Sequence, residues 1–400
     1  MLSVGDGFNM PARVDRLRVF TGLSLHLLPG SESVQKVGKV GIDRPDCRVS
    51  KVTPRLERID ILHRVATAAA SARRTPALFL LAGVLLLAFL IHVGWGGNWL
   101  SPLDVLRELV HGITTGDRSN TVVWELRLPR AIACVLVGGM LAAVGSSFQS
   151  LFRNPLADPF IVGVSSGAAV GGVCALVLGI SAAFGGLGTM ALAFVGGIGS
   201  LLLVLTLAHR RGIIDVTTLL LSGVVVGSFL SGVISLALYA TGENSRVMQW
   251  LMGSMTPMFW SRVVILAVAA AIGPPILMLQ SRKMNAFAIG ESTARHLGIN
   301  TSQLKATILI TGTAMAAVCV GAVGIIGFLG LVAPHIARRI LGVDWRVSMP
   351  GALLIGPTLL LTADVIAQRL IPGMELPVGV ITALLGAPFL LILLRKDAKA

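Results

Sequence analysis

Charge is scarce in this sequence. Asp, Glu, Lys and Arg make up 13% of its 400 residues, whereas soluble domains carry about 25%. Hydrophobic residues make up 54%, and mean hydropathy is +0.83. So few charges cannot cover the surface of an ordinary soluble domain, and the composition therefore indicates an integral membrane protein.

The sequence also has few motifs that would form a metal, nucleotide or catalytic site. The four cysteines have no metal-like spacing, and the seven histidines are scattered without a His-Glu-x-x-His motif. The P-loop motif is missing, because its nearest fragment, Gly38-Lys39-Val40, lacks the hydroxyl residue that would reach Mg²⁺. We therefore expect no metal, cofactor or catalytic site in this chain. ATP and Mg²⁺, if used, belong to a separate ATPase subunit.

Carboxylates at membrane depth are rare as well. Asp158 and Asp364 are the nearest candidates, and both lie close to the ends of predicted spans. Buried charges usually mark ion or proton pathways, but no series of carboxylates crosses the midplane. This argues against an ion-coupled secondary transporter, which stays the alternative function, and against a membrane enzyme.

Long apolar runs fill the chain from about residue 75. A bilayer core about 30 Å thick needs about 20 helical residues, and only helices or closed barrels can span it. The runs lack the alternation of barrel strands, so we predict an all-α polytopic membrane protein with about ten transmembrane helices. The predicted spans are 75–95, 128–150, 157–180, 184–208, 216–240, 261–280, 303–325, 327–341, 347–368 and 377–396. The eighth is short enough to be a broken or half-inserted segment.

Residues 1–74 differ from the rest, because they are polar and basic. They lack the apolar core and cleavage site of a secretory signal. We expect a flexible cytoplasmic extension, or a start codon chosen too early, followed by the membrane domain at 75–396 and a cytoplasmic tail at 397–400.

The formal net charge of +14 is concentrated in connecting segments and the N-terminal region. This is the pattern of basic cytoplasmic loops, so anionic lipid, and not nucleic acid, is the expected partner. Both termini are predicted to be cytoplasmic. The cytoplasmic set contains Arg153, Arg210, Arg211, Arg282, Lys283, Arg295, Lys305, Arg338, Arg339, Arg346, Arg395, Lys396 and Lys399. The external set contains Arg107, Arg118, Arg127, Arg130, Arg246, Arg262 and Arg369.

Three connections are predicted to have structure of their own, and one of them is a short external helix from Ser101 to His111. The cytoplasmic segment 284–303 reads as two short helices split at Gly290, with Glu291 at the start of the second, where the helix dipole favours negative charge. Such a rigid protrusion suits the transmission of force from a soluble motor, although a plain surface loop is the alternative. On the external side, Ser245–Met255 is predicted to be a short surface helix that serves docking or interfacial packing.

Six motifs in order resemble the FecCD/BtuC permease family over roughly residues 75–396. They are Arg127-Leu-Pro-Arg130, Asn154-Pro-Leu-Ala-Asp-Pro159, Gly163-Val-Ser-Ser-Gly-Ala168, Ala288-Ile-Gly-Glu-Ser-Thr-Ala-Arg-His-Leu-Gly298, Gly327-Phe-Leu-Gly-Leu-Val-Ala-Pro-His-Ile-Ala-Arg338, and Glu375-Leu-Pro-Val-Gly379 through Gly386-Ala-Pro388. The resemblance implies the type II ABC importer permease fold in the bacterial inner membrane. It also implies a second copy of the chain, two cytoplasmic ATPase subunits and a periplasmic binding protein as partners.

The resemblance also implies roles for particular residues. The coupling helices, at about 284–300, would contact the ATPase. Val216 and Thr217 would form a cytoplasmic gate, where the family often has small hydroxyl residues, so Val216 departs from its pattern. Arg127 and Arg130 would pair with glutamates of the binding protein, and the third family arginine aligns with Gln368, next to Arg369. The coupling residues are Ala288, Gly290, Glu291, Ala294, Arg295 and Gly298.

The cargo implied by the resemblance is a large metal chelate: haem, a ferric siderophore or cobalamin. Our expectation favours an iron complex over cobalamin, because iron systems are more numerous in the family.

Overall fold

The computed structural model describes residues 53–397 except 96–98, 117, 119, 159, 161–162, 184–186, 211–212, 243, 257 and 372. In the described residues the regular secondary structure is helical, apart from one hairpin of two-residue strands and an isolated bridge between Ile371 and Met374. The strands are His209–Arg210 and Ile213–Ile214, which we name β1 and β2. The predicted all-α polytopic membrane fold is confirmed.

Fourteen α-helices are described, and we number them in chain order. They are α1 Thr53–Gly94, α2 Pro102–Thr115, α3 Leu128–Phe152, α4 Val164–Val177, α5 Gly188–Ala208, α6 Val216–Thr241, α7 Asn244–Leu251, α8 Trp260–Leu279, α9 Ser281–Ile289, α10 Glu291–His296, α11 Thr301–Val323, α12 Leu329–Leu341, α13 Trp345–Arg369 and α14 Val378–Asp397. A π-helical turn, Val122–Arg127, leads directly into α3, and a 3₁₀ turn, Ile180–Ala182, follows α4.

Each predicted span corresponds to one of these helices, but not all are long. Seven described helices have the length and composition to cross a membrane: Arg74–Gly94 of α1, Val122–Phe152, α5, α6, α8, α11 and α13. The apolar helices Val164–Val177 and Val378–Ile392 are shorter. Helix α12 has 13 residues, about 20 Å at 1.5 Å per residue, which agrees with the expectation of a short eighth segment.

The predicted boundary at residue 74 has no counterpart in the backbone. Helix α1 runs without interruption from Thr53, through Pro76, into the first span. By its internal contacts the chain divides into two units, 1–61 and 62–400, and in the first unit only the helical residues from Thr53 onward are described. The rest of the predicted extension, 1–52, and residues 398–400 of the tail lie outside the described residues.

Glycines bring the helices close together in the core. A Cβ on Gly145 of α3 would overlap the carbonyl of Gly330 in α12, and a Cβ on Gly171 of α4 would overlap the carbonyl of Leu192 in α5. Small residues allow this close backbone approach, and close packing replaces the hydrophobic effect as the force that joins helices in lipid. Gly145 and Gly171 therefore lie on packing faces of their helices.

Helix α3 runs from one end of the helix bundle to the other. Its 25 residues span about 37 Å. Arg130 at its start contacts Asp364 near the end of α13, and Trp345 at the start of α13 donates to Ser150 near the end of α3. We call these the Arg127 end and the Glu291 end, because those residues lie there.

Candidate coupling and docking sites

Helices α9 and α10 form a compact protrusion at the Glu291 end, which we call the coupling segment (Ser281–Gly298). Met284, Phe287 and Ala294 are buried against the bundle. By contrast, Ile289 is 78% exposed and Leu297 is 66% exposed. A fixed inner face combined with an exposed apolar tip is an arrangement suited to a protein partner.

Glu291 connects the coupling segment to α11, the helix that follows it. Its carboxylate accepts hydrogen bonds from Lys305 Nζ of α11 at 2.8 Å and from Arg295 of α10 at 2.7 Å. Arg295 Nε also donates to the Thr301 hydroxyl at 3.1 Å. Lys305 is 3% exposed, whereas the Glu291 side chain is 28% exposed, so a buried lysine holds a partly exposed carboxylate and joins α10 to α11.

The electrostatics of Glu291 follow from this position. Burial raises the pKa of Glu291, but the hydrogen bonds and positive charges of Lys305 and Arg295 outweigh burial and hold the pKa below its ordinary value. The carboxylate is therefore ionised, and the pair stays charged, at neutral pH.

Two further contacts tie the coupling segment to transmembrane helices. Arg153, which follows α3, donates to the Phe287 carbonyl at 3.0 Å, and its guanidinium lies over the Phe287 ring. Asn285 donates to Asp344 at 2.8 Å and accepts from the Trp345 amide at the start of α13. The segment is thus bound to α3, α11 and α13 together.

The predicted coupling residues divide by exposure. Ala288, Arg295 and Gly298 are exposed, whereas Gly290 and Glu291 are partly buried. Ala294 is fully buried and packs inward.

At the Arg127 end, Arg130 forms a buried ion pair. Its Nε donates to Asp364 Oδ2 at 2.8 Å and one terminal nitrogen donates to Asp364 Oδ1 at 3.0 Å. The other terminal nitrogen lies 3.3 Å from the Glu375 carboxylate. Asp364 is completely buried and Arg130 is 14% exposed, so this arginine, as positioned here, serves the interior of the bundle.

Asp364 gathers two more side chains. His92 Nε2 of α1 lies 2.7 Å from Asp364 Oδ2, and Gln368 Nε2 donates to the same oxygen at 3.0 Å. Cys134 Sγ lies 3.9 Å from His92 Nε2. Although His92, Cys134 and Asp364 could in principle converge on a metal ion, Arg130 engages both carboxylate oxygens, and this arrangement fits a closed ion pair better than a metal site.

The other two predicted docking arginines lie nearer the surface. Arg127 is half-buried and donates to the carbonyls of Val93 and Gly94, at 3.2 and 3.3 Å. Arg369 is exposed at the end of α13, and the two guanidinium groups are close enough to interact electrostatically. Gln368 is turned inward toward Asp364, so Arg369 supplies the surface cation at this point of the sequence.

Comparison with known proteins places the chain in a family. The profile of the FecCD transport family matches residues 84–396. The chain belongs to the FecCD transport family. Among its relatives, the uncharacterized ABC transporter permease YvrB of Bacillus subtilis is 39% identical over 312 residues, 76% of this chain and 84% of YvrB.

A relative with a named cargo and a separate solved structure both support the family assignment. The vitamin B12 import permease BtuC of Salmonella arizonae is 37% identical over 332 residues, 82% of this chain and 96% of that one. An inward-facing structure of a metal-chelate type ABC transporter superposes with a TM-score of 0.72 at 30% identity, covering 80% of this chain and 99% of the other. This FecCD chain is accordingly a permease subunit of a type II ABC importer.

The predicted gate residues lie at the start of α6 in this FecCD permease. Asp215 precedes them as the helix cap, and its carboxylate accepts from the Thr218 amide and hydroxyl, both at 2.8 Å. Thr217 is exposed and Val216 is partly buried. The cap holds this end of α6 rigidly beside the β1–β2 hairpin.

Sequence reasoning missed Lys305 as a functional partner of Glu291. Lys305 entered only as a positive charge on the cytoplasmic side, and no local pattern marks it. Lys305 lies 14 positions after Glu291, which is too far for a pair within one helix. The contact forms between two helices, because α10 ends at His296 and α11 begins at Thr301, and Gly298 between them has a left-handed φ of 78°.

Proposed function

We propose that this FecCD permease forms the path through which a large metal chelate is imported, driven by ATP hydrolysis on separate ATPase subunits. The observation that carries the proposal is the coupling segment: an exposed apolar tip, Ile289 and Leu297, on a base bound to three spans. An exposed apolar tip on a firmly bound base is expected of a segment that contacts a partner protein, and not of a plain surface loop. The chain itself performs no covalent chemistry.

The tip is the contact for the ATPase in this proposal. When two ATPase subunits close on ATP, they move the tip, and the contacts of Glu291, Arg153 and Asn285 carry the movement to α11, α3 and α13. Because packed helices have discrete arrangements, a small displacement can switch the path between inward and outward access.

The orientation follows from the charge distribution. The Glu291 end carries most of the lysine and arginine of the connecting segments and is assigned to the cytoplasm. The Arg127 end then faces the periplasm, where Arg127 and Arg369 offer surface guanidinium groups to a binding protein. Guanidinium groups engage carboxylates bidentately, so acidic side chains are the expected counterpart.

A second copy of the chain is proposed to cover α6. Only Leu219, Gly223 and Val226 of this helix are buried. A two-fold pair would enclose the path between two copies of this face, with Thr217 at its cytoplasmic mouth. Its exposed large side chains are Leu221, Val224, Val225, Phe229, Leu236 and Tyr239.

Cobalamin is the first cargo to test. Relatives from Salmonella, Escherichia coli and Halobacterium at 37–39% identity are named for cobalamin or vitamin B12 import. This favours a corrinoid over the iron complexes expected from the sequence, and haem and ferric siderophores are the next cargoes to test.

The test is reconstitution of the permease in proteoliposomes with its ATPase and binding protein. We expect uptake of labelled cobalamin or an iron chelate that needs ATP and all three components, and that stops in a chain in which Ile289 and Leu297 are both replaced by Asp. A Val343→Asp chain is the matched control, because Val343 is 81% exposed outside the coupling segment. Uptake by the permease alone under an ion gradient would establish the secondary transporter instead.

A further inference from the structure

A polar cleft opens at the Arg127 end, beside the docking arginines. Its volume is about 540 Å³, and it lies between α7, the start of α8 and the segment before α14. Arg246 and Arg262 line it together with the polar side chains of Gln249 and Thr256. Glu375 forms the boundary toward Arg130.

The charge of this cleft is positive. Glu375 is the one acidic side chain among its described lining residues, and it is already engaged by Arg130 at 3.3 Å and by the Thr256 hydroxyl at 2.9 Å. The described lining of the cleft therefore holds two guanidinium groups, those of Arg246 and Arg262, and one carboxylate. A cavity that concentrates positive charge raises the local concentration of anions.

The walls that carry the two arginines are fixed in place. Trp250 lies one helical turn after Arg246 in α7 and packs on Gly172, where a Cβ would overlap its ring. The chain after α7 is tied to α11 by the Ser254 amide, which donates to the Val323 carbonyl at 2.8 Å. Helix α8 is anchored two residues before Arg262, because Trp260 Nε1 donates to the Trp124 carbonyl at 3.1 Å. The arginines are thus presented on rigid elements.

We propose that the cleft is an anion subsite for the cargo, binding a carboxylate or phosphate group of the chelate as it leaves the binding protein. The inference rests on the proposed function, since it assumes that cargo enters at this end. Guanidinium pairs match the planar oxygens of such groups, and Gln249 and Thr256 add hydrogen-bonding groups beside them. The subsite would orient an acidic chelate before the path opens.

The experiment uses the purified permease–ATPase complex in lipid nanodiscs and does not depend on transport. Phenylglyoxal modifies accessible arginines, and mass spectrometry reads each site separately. Citrate, a tricarboxylate, is the probe and its neutral trimethyl ester is the matched control. We expect citrate, and not the ester, to slow modification of Arg246 and Arg262 severalfold. Arg107 of α2, whose side chain is 80% exposed and lies outside the cleft, should react at an unchanged rate.

Substitution then assigns the site. R262Q should weaken the citrate protection of Arg246 about tenfold, the loss expected from one charge-assisted hydrogen bond. Equal protection by citrate and the ester, or equal protection of Arg107, would overturn the proposal. A third result would also overturn the proposal: wild type shows no citrate protection, and R246Q loses affinity for the binding protein. The anion bound by the cleft would then be a side chain of the binding protein. ATP-driven uptake by the wild type tests the proposed function separately.

Discussion

Lys305 of α11 places its ammonium 2.8 Å from the carboxylate of Glu291, the first residue of α10. The lysine is 3% exposed, and Arg295 is the second cation on the same carboxylate at 2.7 Å. The coupling segment is therefore joined to a transmembrane helix by a charge pair whose lysine is buried. In the proposed mechanism, a force applied at the tip reaches α11 through this pair.

Removing Glu291 should loosen the coupling segment. In E291A the Lys305 ammonium stays buried without its carboxylate, which costs on the order of 1–3 kcal/mol. We expect a lower thermal midpoint and fewer cargo molecules imported per ATP hydrolysed. Both are measured on the reconstituted complex, with E125Q as control, because Glu125 is exposed at the opposite end.

A double-substitution cycle tests whether the pair itself is responsible. Replacing both partners, E291A with K305M, removes the unpaired charge, so this chain should be more stable than E291A alone. If the effects of E291A and K305M on stability were additive, the contact between Glu291 and Lys305 would not be the source of the stabilisation.

The same pair predicts a dependence on pH. The pKa of Glu291 lies below its ordinary value of 4.5, so its ion pairs contribute stability above that value. This contribution is lost as pH falls through the lowered pKa. The difference in thermal midpoint between wild type and E291Q should be constant at neutral pH and should shrink as pH falls below 4.5. A difference that persists in acid would assign the stabilisation to the shape of the side chain and not to its charge.

The sequence predicted the helices better than their contacts. Apolar runs and polar breaks placed the spans, and Gly290 marked the division of the coupling segment, because these are local signals. The start of the third span was wrong: it was predicted at residue 157, whereas α4 begins at Val164. Asn154 and Asp158 accept hydrogen bonds from the amides two residues ahead, both at 2.9 Å, and these turns compete with the helix.

The ion pair of Arg130 was beyond the reach of sequence reasoning. Its partner Asp364 lies 234 positions away, and no local pattern joins them. The docking role that the family resemblance implies for Arg130 stays a prediction. In the folded chain its guanidinium contacts Asp364 in the interior and Glu375 nearer the surface. Arg127 donates to the Val93 and Gly94 carbonyls, so two arginines of one short motif differ in what they contact.

This difference leads to a prediction about stability. R130Q leaves the Asp364 carboxylate, which is 0% exposed, without its guanidinium, and breaking a buried pair in this way costs about 3–5 kcal/mol. Unfolding in detergent should show this loss. R369Q should be nearly neutral, because Arg369 is exposed. Partial recovery in the R130Q and D364N double variant would confirm the unpaired charge as the cause, and equal losses in R130Q and R369Q would contradict it.

Arg127 is the arginine whose change should affect docking more than folding. R127E places a negative charge where the proposed partner presents carboxylates, so we expect slower association with the binding protein and a weaker dependence on salt. Surface plasmon resonance on the complex in nanodiscs measures both. R107E is the control, because Arg107 is exposed on α2 at the same end. An unchanged association rate in R127E would assign Arg127 to packing against the Val93 and Gly94 carbonyls.

Close packing of glycine predicts opposite effects of one substitution at two sites. In G145A the new Cβ would overlap the Gly330 carbonyl, which is backbone and cannot turn aside. Helices α3 and α12 must therefore separate, and overpacking of this kind costs about 1–3 kcal/mol or more. Gly83 of α1 has no atom within 4 Å of a Cβ, so G83A should be neutral or stabilise by about 0.5–1 kcal/mol through its higher helix propensity. Thermal unfolding of both chains in one detergent measures the contrast. A G145A chain as stable as G83A would mean that the two helices do not meet through their backbones.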